Sequence, residues 1–206
     1  MTTDQTAPAA TAVRDAAATR RRILEAATAE FAAAGLAGGR IARIAQRAGA
    51  NQRMIYAYYG SKDGLFDAVL EHNILIVQDA VTLDAADLPG YAQQVFDVYR
   101  AHPHFVRLAL WQALERPDLM QSLAPVRSAM KDNIAAIARA QAAGQVSDAL
   151  SADRLLDHIL ALAHGNLVLA GHANSWTSAQ RRDLGTSVAL LTAPAPPGGD
   201  PRHQET

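Results

Sequence analysis

Apolar residues recur along most of the chain at the three-to-four-residue spacing that is typical of amphipathic helices. Residues 40–48 give the clearest case, because their apolar side chains fall on one helical face and their polar side chains on the other. The alternation of apolar and polar positions that would indicate a β-strand is not found in the sequence. The pattern therefore predicts an all-α protein with about nine helices.

Glycine residues and capping residues mark where the predicted helices begin and end. The first helix is expected to start at Thr19, which can cap it, and to stop before Gly35, because glycine tolerates the left-handed conformation of helix ends. Gly49 separates the second helix from the third, for which Asn51 is a suitable N-cap. Ser61 can cap a fourth helix. The other five helices are predicted at about 89–101, 104–116, 126–143, 151–169 and 178–191.

The distribution of charge divides the chain into two parts. The first 62 residues contain nine Lys or Arg and four Asp or Glu, a net charge of +5, whereas the remaining residues carry a net charge of −6. A basic module joined to an acidic body is typical of proteins that bind nucleic acid. Chance clustering is the alternative, so charge alone does not decide the partner.

Composition narrows the class of protein further. Cysteine is absent, which excludes disulfide frameworks and thiolate metal sites. No apolar run approaches the roughly 18 residues that a membrane span needs, and the first 18 residues lack the apolar core of a secretory signal. We therefore expect a soluble cytoplasmic protein.

The segment from Arg40 to Lys62 carries the strongest functional signal. It contains two short amphipathic helices joined by a turn with a central glycine, which is the arrangement of a helix-turn-helix. The second helix of this motif lies in the major groove of DNA and presents its first residues to the bases. Those residues are Gln52, Arg53 and Met54, and glutamine can pair with adenine and arginine with guanine. An ordinary helical hairpin in a core is the alternative.

Residues 44–65, IAQRAGANQRMIYAYYGSKDGL, resemble the signature of the tetracycline-repressor (TetR) family of transcriptional regulators. In that family, IA-x-x-AGVS leads into x-x-x-LY-x-YF-x-SK-x-x-L. This chain departs from the signature at several positions, of which Tyr59 for phenylalanine and Gly60 for proline are mild changes. Asn51 replaces the usual serine, Arg53 stands where a small residue is common, and Ala57 replaces a frequent histidine. Arg40 replaces a threonine or serine, which weakens the expected cap of the second helix.

The resemblance implies an N-terminal DNA-binding domain of three helices and a C-terminal helical bundle. It also implies that Tyr56, Lys62 and the starts of the first two helices approach DNA phosphates. Tyr58 shares a face with Ile55 and is expected in the core. Together with the first turn of the third helix, the predicted DNA-binding residues are Thr19, Arg40, Asn51, Gln52, Arg53, Met54, Tyr56 and Lys62.

The C-terminal bundle of this family encloses a pocket between its fourth and eighth helices, which implies that a small-molecule effector binds there. Most apolar and aromatic side chains of the bundle are expected to be core. Because few charges fall on these helices, we expect an apolar or aromatic effector. The side chains predicted to line the pocket are Tyr99, Trp111, Met130, Asn133, Ile137 and His164.

Helices eight and nine carry more apolar positions than one buried face requires, and a helix that is apolar nearly all round must be buried on more than one side. The resemblance implies that this pair forms the interface of a homodimer. The alternative is that the extra apolar surface is buried inside one subunit. The positions are Leu155, Leu156, Ile159, Leu160, Leu162, Leu167, Val168, Leu169, Leu184, Val188, Leu190 and Leu191.

These observations predict four parts of the chain: a flexible arm (1–18), a helix-turn-helix domain (19–62), a ligand-binding and dimerisation domain (63–192) and a disordered tail (193–206). We expect a repressor that a small molecule releases from a pseudo-palindromic operator, with no membrane partner. Catalytic residues, cofactors and metals are not expected, because no nucleophile–base motif, phosphate-binding glycine loop or metal-ligand spacing is found. A helical enzyme or carrier, and a DNA-binding protein without an effector, remain alternatives.

Overall fold

The computed structural model describes residues 7–169 and 177–194. The described part of the chain is helical and contains no strand, as predicted. It forms ten helices, one more than expected, because a four-residue helix follows Pro117. Their bounds are α1 (Ala7–Gly38), α2 (Ile41–Ala48), α3 (Gln52–Tyr59), α4 (Lys62–Ala80), α5 (Leu88–Ala101), α6 (Pro103–Glu115), α7 (Leu119–Ser122), α8 (Ala124–Ala142), α9 (Ala152–Leu169) and α10 (Ser178–Thr192).

Helix α1 begins earlier than predicted. It starts at Ala7, twelve residues before the predicted cap at Thr19, so the described part of the predicted flexible arm is helical. Alanine-rich sequence explains this difference, because alanine has the highest helix propensity. Gly35 interrupts α1 with φ 70° and ψ −177°, and a short helical turn continues to Gly38. Residues 1–6, and the predicted tail from residue 195 onward, lie outside the described residues.

The chain forms two compact units, and the first contains residues 1–76 together with residues 104–123. We call this unit the head. Its core includes an edge-to-face contact between Phe31 of α1 and Phe66 of α4, with 5.2 Å between the ring centroids. Leu108 of α6 is buried in the same core. The head is therefore larger than the predicted domain 19–62, because α6 and the first part of α4 complete its core.

The second unit, which we call the body, contains residues 77–103 and 124–206. Helix α9 packs against α5, α8 and α10, and α5 also packs against α10. Arg181 of α10 reaches α5, where it donates to Asp97 at 2.7 Å and to Gln93 at 3.1 Å. The fully buried side chains Phe96, Ile137 and Leu156 show that three different helices contribute to the core of the body.

No helix in the described ranges is both long and apolar enough to cross a membrane.

Helix α4 is shared by the two units, since the division between them falls after Ile76. The chain returns to the head at His104 and leaves it after Leu123, so α7 and all of α6 except Pro103 belong to the head.

Candidate DNA-binding site

The turn between α2 and α3 has the geometry that the sequence predicts. Gly49 adopts the left-handed conformation (φ 59°, ψ 38°), and its N–H donates to carbonyls in the last turn of α2. The N–H of Ala50 donates to the carbonyl of Ala45 at 2.9 Å, which completes a common helix-ending motif. The side chain of Asn51 then caps α3 by accepting the N–H of Arg53 at 2.7 Å. Two local hydrogen-bonding motifs therefore fix the angle between the helices.

Helix α3 buries one face and exposes the other. Ile55 is fully buried, whereas Gln52, Arg53 and Tyr56 are exposed, Tyr56 at 47%. Met54 is half-buried. These exposed side chains occupy the first and second turns of the helix, where a recognition helix contacts base edges and phosphates. The face is free of acidic residues, which suits a polyanionic partner.

The start of α2 is held by a residue that the sequence analysis did not identify. Arg40 occupies the N-cap position but its side chain makes no capping bond, as its replacement of threonine or serine predicts. Glu30 of α1 accepts the Arg40 N–H instead, at 2.9 Å, and also accepts the Arg43 side chain. The Arg40 side chain remains exposed, so it is available to a phosphate.

These contacts also determine the pKa of Glu30. Burial alone would raise it, but the hydrogen bonds from Arg43 and Arg40 and the charges of Arg43 and Arg47 hold the pKa below its ordinary value of 4.5. Glu30 is therefore ionised at neutral pH. Glu30 and Arg40 are ten residues apart in the sequence, so no local sequence motif reveals their contact.

Two further predicted residues have partners within the head. The Nζ atom of Lys62 donates to the Ala37 carbonyl at 3.0 Å, so this side chain lies over the end of α1. The hydroxyl of Thr19 accepts from Arg22, whose Nε donates to the carbonyl of Ala48 at 3.2 Å. Thr19 and Arg22 thus lie beside the turn that precedes α3. Arg22 was not identified from the sequence.

Tyr58 is half-buried against the core of the head, and the Arg20 guanidinium lies 4.7 Å from the centre of its ring. Cationic side chains favour the faces of aromatic rings. The neighbouring Tyr59 hydroxyl donates to the Arg20 carbonyl at 3.4 Å. These contacts fasten the end of α3 to α1 and agree with the expectation that Tyr58 belongs to the interior.

The residues predicted to bind an effector are divided between the units. Trp111 belongs to the head, where its ring packs against Gly35. Tyr99 and His164 belong to the body and contact each other edge-to-face, with 4.7 Å between ring centroids. Ile137 is fully buried, and the remaining two residues of the set, Met130 and Asn133, are half-buried on α8.

The described residues include no group of three or more side chains that could hold a metal ion.

A helix-turn-helix with a capped, basic and exposed second helix defines a DNA-binding protein. The comparison with known families agrees. Residues 23–69 match the model for bacterial regulatory proteins of the tetR family, and residues 87–189 match the tetracyclin repressor-like C-terminal domain. The chain belongs to the TetR family and is a DNA-binding transcriptional regulator.

Two curated relatives are named as repressors. The HTH-type transcriptional repressor SCO4008 of Streptomyces coelicolor is 40% identical over 159 residues, which span 77% of this chain and 83% of that protein. The HTH-type transcriptional repressor NicS of Pseudomonas putida is 40% identical over 105 residues, which span 48% of this chain and 50% of that protein.

The fold is also found in solved structures. The transcriptional regulator SCO4942 of Streptomyces coelicolor superposes with a TM-score of 0.73 at 33% identity, covering 84% of this chain and 98% of that one. A TetR-family regulator from Marinobacter aquaeolei superposes with a TM-score of 0.71 at 19% identity, covering 88% and 98%. The second similarity shows the fold alone.

Proposed function

We propose that this protein is a homodimeric repressor that binds a pseudo-palindromic operator and leaves it when a small molecule binds the body. The observation that carries the proposal is the exposed polar face of α3, whose angle to α2 is fixed by the cap at Asn51. Curated relatives that are named as repressors support the direction of regulation. Since the partner is chromosomal DNA, we also propose that the protein works in the cytoplasm.

The residues of the head divide into two groups in this proposal. Gln52 and Arg53 read bases, because they are exposed in the first turn of α3 and their side chains can make paired hydrogen bonds with adenine and guanine. Arg40 and Tyr56 contact phosphates, which position the protein without reading sequence. Lys62 adds a positive charge at the start of α4, where helix N-termini favour anions.

Helices α9 and α10 form the dimer interface in this proposal. Leu190 of α10 is 77% exposed and Leu162 of α9 is also exposed in the single chain. Leu155, Leu156 and Val188 are buried and belong to the core of the body. A two-fold dimer would cover the exposed leucines and present two identical heads to two related half-sites. Leu167, Val168 and Leu169 lie where the structure describes no side chains.

The effector binds inside the body, beside Tyr99 and His164, in this proposal. Burial lowers the pKa of His164, so the imidazole is neutral at neutral pH, and burial raises the pKa of Tyr99 to about 12, so the phenol keeps its proton. An uncharged aromatic pair favours an apolar or aromatic compound with one or two polar groups. Met130 and Asn133 are half-buried on α8 and complete the proposed lining.

Release requires the effector to bind the free and the DNA-bound conformations unequally. Helix α4 can transmit the difference between the two conformations, because it begins at Lys62, just after α3, and ends at Ala80 in the body. Half-sites lie about 34–36 Å apart or at multiples of that distance, so a displacement of a few ångströms prevents both heads from docking. A coupling of about 1–3 kcal/mol is enough for a 5–150-fold change in affinity.

The proposal is tested by selecting bound sequences from a random DNA pool with the full chain. We expect an inverted repeat, and enrichment of no sequence would contradict operator binding. A compound screen for release of the selected DNA then tests the effector. Met130→Trp should keep operator binding and lose the response to the compound. If no compound releases the complex and the core of the body is solid, the effector part of the proposal is wrong.

A further inference from the structure

The interruption of α1 at Gly35 leaves two backbone groups without their helical partners. An α-helical hydrogen bond would join the N–H of Leu36 to the carbonyl of Ala32. That bond requires helical dihedral angles at every residue between the two, and Gly35 has φ 70° and ψ −177°. Both groups are partly buried, and an unpaired polar group that is shielded from water costs free energy. They therefore need partners from elsewhere in the fold.

Helix α6 supplies both partners. The Nε atom of Arg107 donates to the Ala32 carbonyl at 2.7 Å. The carboxylate of Glu115 accepts the N–H of Leu36 at 2.5 Å and the N–H of Ala37 at 3.2 Å. The bond from Arg107 lies before the interruption, and the two bonds to Glu115 lie after it. A single long-range helix thus replaces the hydrogen bond that the kink removes.

The aromatic ring of Trp111 packs against Gly35. A Cβ atom built on Gly35 would lie 2.8 Å from Trp111 Cε3, which is closer than real Cβ atoms approach. Residues 107, 111 and 115 are spaced four apart and so share one face of α6. This face provides a donor, a ring and an acceptor that match a kinked α1 and do not match a straight one.

The kink sets where the helix-turn-helix begins. Only two residues separate the end of α1 from Ile41, the first residue of α2. The Ala37 carbonyl within the kinked turn also accepts Lys62, the first residue of α4. Straightening α1 at Gly35 would redirect this turn, and would displace the start of α2 and the contact with α4 together.

We propose that Arg107, Trp111 and Glu115 are positioning residues for DNA binding, which act by holding α1 in its kinked form. The proposal rests on the proposed function for its DNA readout. It adds residues more than 35 positions beyond the segment that matches the family's N-terminal model. If only the kinked form binds DNA, loss of these contacts lowers the apparent affinity in proportion to the kinked fraction.

The first test removes the acceptor. Glu115→Ala should weaken binding to the selected operator about tenfold, which corresponds to roughly 1.4 kcal/mol, and should speed hydrogen exchange at the Leu36 amide. Glu115→Gln keeps one acceptor oxygen and should restore most of the affinity. Asp118→Asn is the matched control, because it removes an exposed acid three residues away with no side-chain cap bond. The slope of affinity against salt should stay at the wild-type value, since no phosphate contact is lost.

The second test disfavours the kinked form of α1 by changing Gly35 and leaves α6 unaltered. Gly35→Ala places a side chain against Trp111 and disfavours the positive φ, so it should also weaken operator binding. The double variant Gly35→Ala with Glu115→Ala should bind the operator no more weakly than the single variant with the lower affinity. Both changes act on the same kinked form of α1, so their effects on affinity should not add. Thermal unfolding of each variant identifies any chain that fails to fold. If Glu115→Ala fails to fold, Glu115→Gln takes its place in the comparison with the wild type.

Three outcomes would overturn the inference. They are an operator affinity of Glu115→Ala equal to that of the Asp118→Asn control, unchanged exchange at Leu36, and full additivity in the double variant. Failure of the wild-type chain to bind any selected DNA would contradict the proposed function instead. In that case the exchange of the Leu36 amide still decides whether Glu115 holds the kink.

Discussion

The polar contacts that join helices differ between the head and the body. In the head, side chains mostly bind backbone groups: Asn51 caps α3, Glu30 caps α2 and Glu115 holds the turn after Gly35. In the body, Gln141 also binds backbone carbonyls, those of Ser147 and Leu150, but Arg181 joins α10 to α5 by pairing with the side chains of Asp97 and Gln93. Backbone contacts fix the directions of helices, which is what a surface that docks on a rigid duplex requires.

The aromatic contacts of the two units differ as well. The core of the head is an apolar cluster with the Phe31–Phe66 pair at 5.2 Å. In the body, the half-buried Tyr99 and His164 contact each other, and the buried Nε2 atom of His164 has no hydrogen-bond partner among the described residues. A buried polar atom without a partner lowers stability. The aromatic contact in the core of the head is therefore wholly apolar, whereas the contact in the body also contains polar atoms.

The largest expected effect is on the core of the head. Phe66→Ala removes a fully buried ring and should lower the free energy of unfolding by about 3–5 kcal/mol, with loss of operator binding. Leu114→Ala, at a side chain of the same unit that is 75% exposed, should change it by less than about 0.5 kcal/mol. Chemical denaturation measures both. Similar values for the two variants would mean that the head lacks a close-packed core.

The next largest effect distinguishes residues of the head that read bases from residues that contact phosphates. Arg53→Ala should cost about 1–3 kcal/mol of operator affinity and relax the preference at one base pair in each half-site. Lys62→Ala should weaken all sequences alike and reduce the salt slope by about 1. Arg182→Ala, at an exposed arginine of the body, is the control and should change neither quantity. Unchanged base preference in Arg53→Ala would remove that residue from base readout.

The third effect is confined to the body. Leu190→Glu places a charge in the proposed dimer interface and should weaken dimerisation at least tenfold, or roughly 1.4 kcal/mol. Leu114→Glu makes the same change at an equally exposed leucine of the head and should leave the dimer intact. Light scattering across a dilution series measures the difference. A wild-type chain that is monomeric at micromolar concentration, or dimers of equal strength in both variants, would contradict the assigned interface.

The smallest effect is on pH dependence, and the sign follows from the direction of each pKa shift. Burial lowers the pKa of His164, so the unfolded chain binds a proton more readily and stability is lost as the pH falls below 6.5. The pKa of Glu30 is also lowered, so its contribution is present above pH 4.5 and is lost only below it. His164→Gln should therefore reduce the slope below pH 6.5, and Glu30→Gln only the slope below pH 4.5. Identical slopes in the wild type and His164→Gln would contradict this assignment.

Local sequence determined most of the geometry of the candidate DNA-binding site. Gly49 and Asn51 form the predicted turn and cap, Ile55 is buried as its spacing predicts, and Gln52 and Arg53 are exposed. These features depend on residues within one or two helical turns of each other, so pattern and propensity are sufficient to predict them. The same reasoning placed the later helices, whose observed bounds lie close to the predicted ones.

Tertiary structure decided what local patterns could not specify. Glu30 replaces the missing cap at Arg40, and Trp111 belongs to the head although the sequence analysis placed it with the effector-binding residues. Arg107 and Glu115 complete the interrupted α1 across 75 and 79 residues of sequence. Periodicity shows which face of a helix is buried, but it does not show which helix covers that face. Contacts between distant segments are set by how all the helices pack together, and for that reason only the folded chain revealed them.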